Sequence, residues 1–324
     1  MDGVVDGVPD RRMRRRDSLY PAQVRCEHRT IHLLKLKGEG MSSRAEYVLT
    51  LSCPDRPGVV AAVSGLLAGR GCNIIESQQF GDAVAGRFFM RVQFASPLPD
   101  AELREAVAAL APELGMDFRL RDVSVRPRVL VMVSKFGHCL NDLLYRTRSG
   151  LLDIEIVAVV SNHPDLRPLT QSYGIDYHHL PVTPETKPRQ EAEVLTLVDH
   201  YRADLVVLAR YMQVLSEDLC VKLAGNVINI HHSFLPSFKG AKPYHQAHAR
   251  GVKLIGATAH YVTADLDEGP IIEQEVARVN HTHSAEDLAA IGRDVECQAL
   301  ARAVRWHTEQ RVLLDGHKTI VFPR

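Results

Sequence analysis

The sequence predicts an α/β protein with two folded domains, the second built on a mainly parallel sheet. Three observations support this prediction. The chain has 324 residues, which at roughly 150 residues per domain allows about two domains. Apolar runs such as 129–133 have the length of a buried strand, and none approaches the ~18 residues that a membrane helix needs. From residue 127 onward, predicted strands and helices alternate, as they do around parallel sheets. We therefore place a small domain at 45–126 and a larger one at 127–324.

The first 44 residues differ in composition from the rest of the chain. They contain a basic cluster without hydrophobic periodicity, which consists of Arg11, Arg12, Arg14, Arg15 and Arg16. A turn-prone pair of glycines, Gly38 and Gly40, comes just before Met41. We expect residues 1–44 to form a flexible basic tail and the native chain to begin at Met41. The alternative is that the tail is a native but unstructured appendage.

The small domain is predicted from a β-rich run, a turn and an amphipathic helix that follow one another. Its predicted elements are the strand 47–52, a helix from 59 to a C-terminal left-handed residue at Gly71, the strands 72–78 and 87–94, the helix 100–115 with Asp100 as N-cap, and the strand 119–125. This βαββαβ order is the ferredoxin-like arrangement.

Two short strings give the small domain a family resemblance. Asp55-Arg56-Pro57-Gly58, followed about fifteen residues later by Cys72-Asn73-Ile74, resembles the opening of an ACT domain. The resemblance implies a small amino-acid effector, held at the interface between two copies, and hence a homo-oligomer. The alternative is that Gly58 and Asn73 serve only turns and packing.

The larger domain is predicted from alternating strands and helices. Its strands are expected at 129–134, 153–161, 176–180, 204–208 and 227–231, and its helices at 139–147 and 189–201. Near the C-terminus, 254–262 and 271–279 indicate a more antiparallel pair, followed by a long helix at 285–311. In open sheets of this kind, ligands bind beyond the carboxyl ends of the strands, so polar residues just after the strands are the candidates for a site.

Polar side chains converge at the end of the strand 227–231. Because side chains alternate along a strand, Asn229 and His231 point to the same face, and Ile230 to the other. His260 lies in a later strand, and Asp267 belongs to the loop that ends it. A carboxylate in that loop can approach the imidazole.

The combined pattern resembles the folate-dependent formyltransferase family, for which we expect a Rossmann-like domain. The matching strings are Asn229-Ile-His231-x-Ser233-x-Leu-Pro236 and His260-x-Val-x-x-x-Leu-Asp267-x-Gly-Pro270. The resemblance implies that Asn229, His231 and Asp267 are the catalytic trio, with His260 a supporting group near Asp267. It also implies a set of substrate-binding residues, in part through backbone groups that line a pterin pocket: Arg210, Tyr211, Met212, Gln213, Val214, Leu215, His260 and Gly240.

Within that family the resemblance is narrower, to the deformylases that hydrolyse 10-formyltetrahydrofolate to tetrahydrofolate and formate. It covers the chain from Tyr47 to the C-terminus, and implies a role in supplying formate for purine synthesis and in balancing one-carbon folate pools. The loop 134–140 has a single glycine and the bulky Phe136, which leaves little room for a phosphate and favours water as acceptor. Two alternatives stay open: a formyltransferase acting on a small amine, and a sensor that binds amino acid and folate without turnover.

Composition and motifs restrict the other partners. The formal net charge is zero, and residues 41–324 hold 30 Lys and Arg against 33 Asp and Glu, so we expect no nucleic acid. The six cysteines include no C-x-x-C pair, which favours the cytoplasm and argues against a disulfide framework and a structural zinc site. We expect no metal, because no third ligand accompanies His245 and His248 at obvious spacing. We also expect no cofactor, because the strand 129–134 lacks a following G-x-G-x-x-G, and no membrane.

Overall fold

The computed structural model describes residues 44–235 and 243–323. Two predictions lie outside these ranges: the flexible tail, apart from Arg44, and the substrate-binding role of Gly240. The described residues form a four-stranded sheet, a seven-stranded sheet and a two-stranded hairpin, with helices packed on them. This architecture confirms the predicted α/β class. No helix in the described ranges is long and apolar enough to cross a membrane.

The small domain has the predicted βαββαβ order. Its elements are β1 (Ala45–Pro54), α1 (Val59–Gly69), β2 (Asn73–Asp82), β3 (Arg87–Ser96), α2 (Asp100–Leu114) and β4 (Asp117–Asp122). The sheet order is β2-β3-β1-β4, with every pair antiparallel. Gly71 is left-handed as predicted (φ 71°), and the amides of Gly71 and Cys72 close α1 on the carbonyls of Ala68 and Leu67.

The N-cap prediction for α2 was wrong. Pro99 holds the N-cap position, in extended conformation, and Asp100 is the first helical residue. The Asp100 carboxylate instead pairs with Arg104 one turn later. It still lies where the helix dipole favours a negative charge, so the residue type suits the position although the hydrogen bond differs.

The larger domain is built on a seven-stranded sheet of order β11-β10-β9-β8-β5-β6-β7. Strands β9 to β7 are parallel, and β10 and β11 are antiparallel to their neighbours. The elements are β5 (Arg128–Val133), α3 (His138–Arg148), β6 (Glu155–Ser161), α4 (Arg167–Gln171), β7 (Asp176–His179), α5 (Lys187–His200), β8 (Leu205–Leu208), α6 (Glu217–Lys222), β9 (Val227–His231), α7 (Pro243–Ala249), β10 (Leu254–Tyr261), β11 (Ile271–Arg278), α8 (Ala285–Thr308), β12 (Val312–Asp315) and β13 (Lys318–Val321).

Both faces of the seven-stranded sheet are buried. One face packs against α3 and α8 around residues such as Val131 and Leu300, and the other against α5 and α6 around Leu130 and Val194. From β5, the first strand of the domain, β6 and β7 are added on one side, and β8 begins the other side. The strand order therefore reverses between β5 and β8. At such a switch point the loops after adjacent strands diverge and leave a crevice, which fixes where the site can form.

Several short elements were not predicted from the sequence, and the boundaries of two helices differ from the prediction. The helices α4 and α6 and the hairpin β12–β13 were not predicted. The last helix ends at Thr308 rather than at 311, because Gln310 adopts a left-handed conformation (φ 55°) and Arg311 turns into the hairpin. Helix α5 begins two residues earlier than predicted, because Pro188 is tolerated in a first turn, where its missing N–H has no helical partner.

Two buried arginines fasten the small domain to the end of α8. Arg91 on β3 donates to the Glu309 carbonyl oxygen and pairs with Glu76 at 2.7 Å. Arg311 pairs with Glu76 at 3.1 Å and Glu309 at 2.8 Å, and donates to the Phe322 carbonyl oxygen. Both arginine side chains are 2% exposed. The contact therefore depends on two buried cations and on the partly exposed carboxylates that neutralise them.

Replacing Arg311 should destabilise the protein strongly. In Arg311→Ala the Glu76 and Glu309 carboxylates and the Phe322 carbonyl lose a shared donor, so we expect the free energy of unfolding to fall by about 3 kcal/mol. Arg302, which is 49% exposed and pairs with Glu273 and Glu275, is the matched control. Arg302→Ala should cost less than about 1 kcal/mol. Equilibrium urea unfolding measures both, and equal losses would contradict the assignment.

Candidate active site

The pairing of β9 with β10 places two of the predicted site residues side by side. The antiparallel register sets His260 opposite Asn229, and Thr258 opposite His231. The Asn229 Nδ2 lies 3.2 Å from His260 Nε2. His260 Nδ1 lies 2.8 Å from the Tyr261 carbonyl oxygen, which can only accept, so Nδ1 carries the proton. His260 Nε2 is then the acceptor for one Asn229 N–H, and the second N–H of that amide is available for a ligand.

Asp267 completes the group from the loop after β10. Its Oδ2 lies 3.2 Å from His231 Nδ1, and its Oδ1 lies 3.8 Å from His260 Nε2. The residue is held in a left-handed conformation (φ 58°), which is uncommon for a residue with a side chain. A Cβ on the nearby Gly269 would lie 1.8 Å from the Tyr261 carbonyl oxygen, so only glycine lets the loop approach β10 this closely.

The two ring nitrogens of His231 differ in their surroundings. Its Nδ1 faces Asp267, whereas its buried Nε2 has no hydrogen-bond partner among the described residues. A buried polar atom without a partner is costly, and here it belongs to the residue at the end of β9 that lines a cavity. The arrangement is therefore suited to a ligand atom that exchanges a hydrogen bond or a proton with Nε2.

The surroundings set the charge states of the group. Burial acts to raise the pKa of Asp267, but the hydrogen bond from His231 and the positive charges of the neighbouring histidines lower the pKa by more. Burial lowers the pKa of His260. Burial, and next the charge of Arg210, lower the pKa of His232 to about 4. At neutral pH the site thus holds an ionised carboxylate beside neutral His232 and His260.

The predicted pocket segment lies along the cavity. Residues 210–215 follow β8 and, with the loop 262–267, line a cavity of about 250 Å³ that reaches Asn229 and His231. Ser134, at the end of β5, holds the segment in place: its amide donates to the Arg210 carbonyl oxygen at 3.2 Å, and its Oγ accepts from the Met212 amide at 3.0 Å. Met212 and Val214 are about half exposed, so the segment presents apolar side chains and backbone to a ligand.

A buried polar cluster behind the cavity was missed from the sequence. Glu296 on α8 is 1% exposed. Its carboxylate accepts from the Tyr244 hydroxyl at 2.7 Å and lies 2.7 Å from His138 Nε2 and 3.4 Å from Arg210 Nε. The one sequence feature that could have indicated this cluster is the glutamate itself, which lies on the apolar face of a long helix where core residues are otherwise found.

The same cluster contains the three residues that could hold a metal ion in the described ranges. Ligand atoms of His138, Cys139 and Glu296 lie within 4.8 Å of one another. However, the positive Arg210 is already 3.4 Å from the Glu296 carboxylate, and a divalent cation would have to bind against that charge. The donor set therefore suits an internal ion pair better than a metal.

Comparison with known proteins identifies the domains. Residues 127–304 match the family model described as formyl transferase, and residues 47–111 match the ACT domain model. A formyltetrahydrofolate deformylase from Corynebacterium sp. (strain P-1) is 56% identical over 284 residues, which covers 87% of this chain and 99% of the relative.

Solved structures agree with this comparison. The crystal structure of a formyltetrahydrofolate deformylase from Burkholderia mallei is similar with a TM-score of 0.83 and 54% identity, and the match covers 86% of this chain and all of that one. A glycinamide ribonucleotide transformylase from Symbiobacterium toebii is 29% identical with a TM-score of 0.58, covering 63% of this chain and 98% of its own. The larger domain is thus shared with transferases, whereas the two-domain arrangement is shared with the deformylases.

The Asp267–His231 contact predicts an acidic carboxyl group. We expect the pKa of Asp267 to lie below the ordinary value of 3.8. Because this pKa is lower in the folded state, the ionised carboxylate stabilises the fold above about pH 3.8, and that stabilisation is lost as the pH falls through the lower, folded-state value. A ¹³C NMR titration of the Asp267 carboxyl carbon measures the pKa directly. In His231→Ala burial remains without the hydrogen bond, so the pKa should rise; an unchanged midpoint would contradict the contact.

Proposed function

The chain belongs to the formyltetrahydrofolate deformylase family, and from this premise we propose that it hydrolyses 10-formyltetrahydrofolate to tetrahydrofolate and formate. The observation that carries the proposal is the convergence of an amide, an imidazole and an ionised carboxylate on one cavity. Hydrolysis of a formamide needs those three functions: donors for an oxyanion, a base for water and an acid for the departing nitrogen. No covalent nucleophile is required.

Asn229 and His231 stabilise the tetrahedral intermediate. Water adds to the formyl carbon and the carbonyl oxygen becomes negative, so fixed donors aimed at that oxygen lower the barrier. The Asn229 N–H that is not bound to His260 is one donor. The other is the Nε2–H of His231 in its doubly protonated form, in which the Nδ1–H donates to Asp267. Burial strengthens both interactions because little water competes for the same oxygen.

Asp267 and His231 transfer the protons of the reaction. The Asp267 Oδ2 is bound to His231, and its Oδ1 remains available to accept a hydrogen bond from the attacking water. We propose that Asp267 accepts the proton of the water, directly or through a second water. His231 donates the proton that N10 of the folate receives.

The folate binds along the segment 210–215. The pterin enters the cavity of about 250 Å³, where backbone groups of this segment and apolar side chains such as Leu215 contact it. Gly240 is proposed as a further contact from outside the described residues. His260 acts through Asn229 and Asp267 and orients them.

The reaction's requirements, its role in the cell and the function of the ACT domain follow from the same family membership. We propose that the reaction needs neither metal nor cofactor and supplies formate for purine synthesis in the cytoplasm. The ACT domain at 47–111 supports a small amino acid as effector and a homo-oligomer formed through that domain.

A direct assay tests the activity. Purified protein with 10-formyltetrahydrofolate and no added amine should release formate and tetrahydrofolate in equal amounts, followed by absorbance and by formate determination. Asp267→Asn should lower kcat by ~10² to 10⁴, and Asn229→Ala by ~10² to 10³. Asp218→Asn, a change at a 73% exposed carboxylate, is the control and should match the wild type. Full activity in Asp267→Asn would refute the assigned base, and loss of activity on chelation would refute the metal-free mechanism.

A further inference from the structure

Arg210 holds an unusual conformation at the wall of the cavity. Its backbone is left-handed (φ 66°), which glycine adopts freely and arginine does not. Its side chain is 9% exposed, its Nε lies 3.4 Å from the Glu296 carboxylate, and its guanidinium carbon lies 5.8 Å from the centre of the Phe136 ring. Such strained residues persist where their surroundings hold them and cluster at functional sites. The structure thus places a cation here at the expense of local backbone geometry.

The partner of Arg210 is a carboxylate that stays charged. Burial acts to raise the pKa of Glu296, but the hydrogen bond from His138, the charge of Arg210 and the hydrogen bond from Tyr244 lower the pKa by more. A buried anion needs a cation or several donors to persist. Glu296 would therefore attract a cationic or hydrogen-bonding ligand if Arg210 did not already supply the positive charge.

Arg210 separates this carboxylate from the reacting groups. Arg210, His231 and His232 line the cavity, whereas Glu296, Tyr244 and Phe136 do not. The rings of His231 and His232 are 5.1 Å apart, and those of His232 and Tyr244 are 6.5 Å apart. The Glu296 carboxylate therefore reaches the cavity wall through Arg210, whose Nε lies 3.4 Å from it.

We propose that Arg210 determines the choice of acceptor. Its side chain fills the space beside Glu296 and neutralises the carboxylate that would otherwise bind an amine. The inference rests on the proposed deformylase function and deepens it. An acceptor amine arrives as a cation, which Arg210 repels and which finds Glu296 already neutralised. Water carries no charge and needs only Asp267, so hydrolysis proceeds.

The competing reaction has a defined balance. The ammonium cation first gives one proton to Asp267, the base that otherwise serves water. The lone pair of the resulting neutral amine forms a nitrogen–carbon bond to the formyl carbon, the bond from that carbon to folate N10 breaks, and a second amine proton ends on N10. The products are a new formamide and tetrahydrofolate, with no formate. The ratio of formamide to formate therefore reports the acceptor, independently of the total rate.

The test uses glycinamide, a small primary amine, as the added acceptor. With the wild-type protein, tetrahydrofolate should be matched by formate, and formylglycinamide should stay at the uncatalysed level. In Arg210→Gly, which removes the charge and relieves the backbone strain, the ratio of formylglycinamide to formate should rise at least tenfold. The double variant Arg210→Gly with Glu296→Gln should lose that gain, because the binding charge is gone.

A matched control separates relief of strain from the effect at the site. Arg202 is also left-handed (φ 47°) but exposed and follows α5, so Arg202→Gly should keep the wild-type ratio. Should Arg210→Gly fail to fold, Arg210→Gln, which keeps the length and removes the charge, should raise the ratio as well. An unchanged ratio in whichever of the two is folded and hydrolytic would overturn the proposal. Formate release by the wild type without amine tests the proposed function separately.

Discussion

The contact on which the site depends is the pair formed by His231 and Asp267, 3.2 Å apart. The two residues come from elements far apart in sequence, the end of β9 and the loop after β10. They meet because β9 and β10 pair antiparallel, so that the end of one strand lies beside the other, and because Gly269 lets the loop return against Tyr261. Without this pair Asp267 would lose the hydrogen bond from His231, which is the first of the influences that lower its pKa.

The sequence was sufficient for the fold class, the small domain and the meeting of Asn229, His231 and Asp267. Strand periodicity puts Asn229 and His231 on one face, and the short loop limits where Asp267 can go. By contrast, the hairpin β12–β13 is formed by two four-residue strands, too short for periodicity to distinguish them from a loop. Its position depends on Arg311, whose partners on β2 are over 230 residues away. Local patterns carry no information about such contacts.

Glu296 could not be found for a related reason. Along α8 it occupies a position between buried residues such as Val295 and Ala299, where the pattern predicts a core side chain. Its function follows only from partners on three other segments, at His138, Arg210 and Tyr244. A charged residue on an apolar helix face indicates that buried partners exist, but the sequence does not say which ones.

Two left-handed residues other than glycine lie at the cavity rather than at a helix end. Four residues other than glycine have a positive φ in the described ranges: Arg202, Arg210, Asp267 and Gln310. Arg202 and Gln310 each come two residues after a helix, where a left-handed residue closes the last turn. Arg210 instead lies two residues after β8, and Asp267 lies within the loop between β10 and β11, both at the cavity. Each costs on the order of 1–3 kcal/mol, and each side chain has a close polar partner, Glu296 for Arg210 and His231 for Asp267. These contacts hold both side chains at the wall of the cavity.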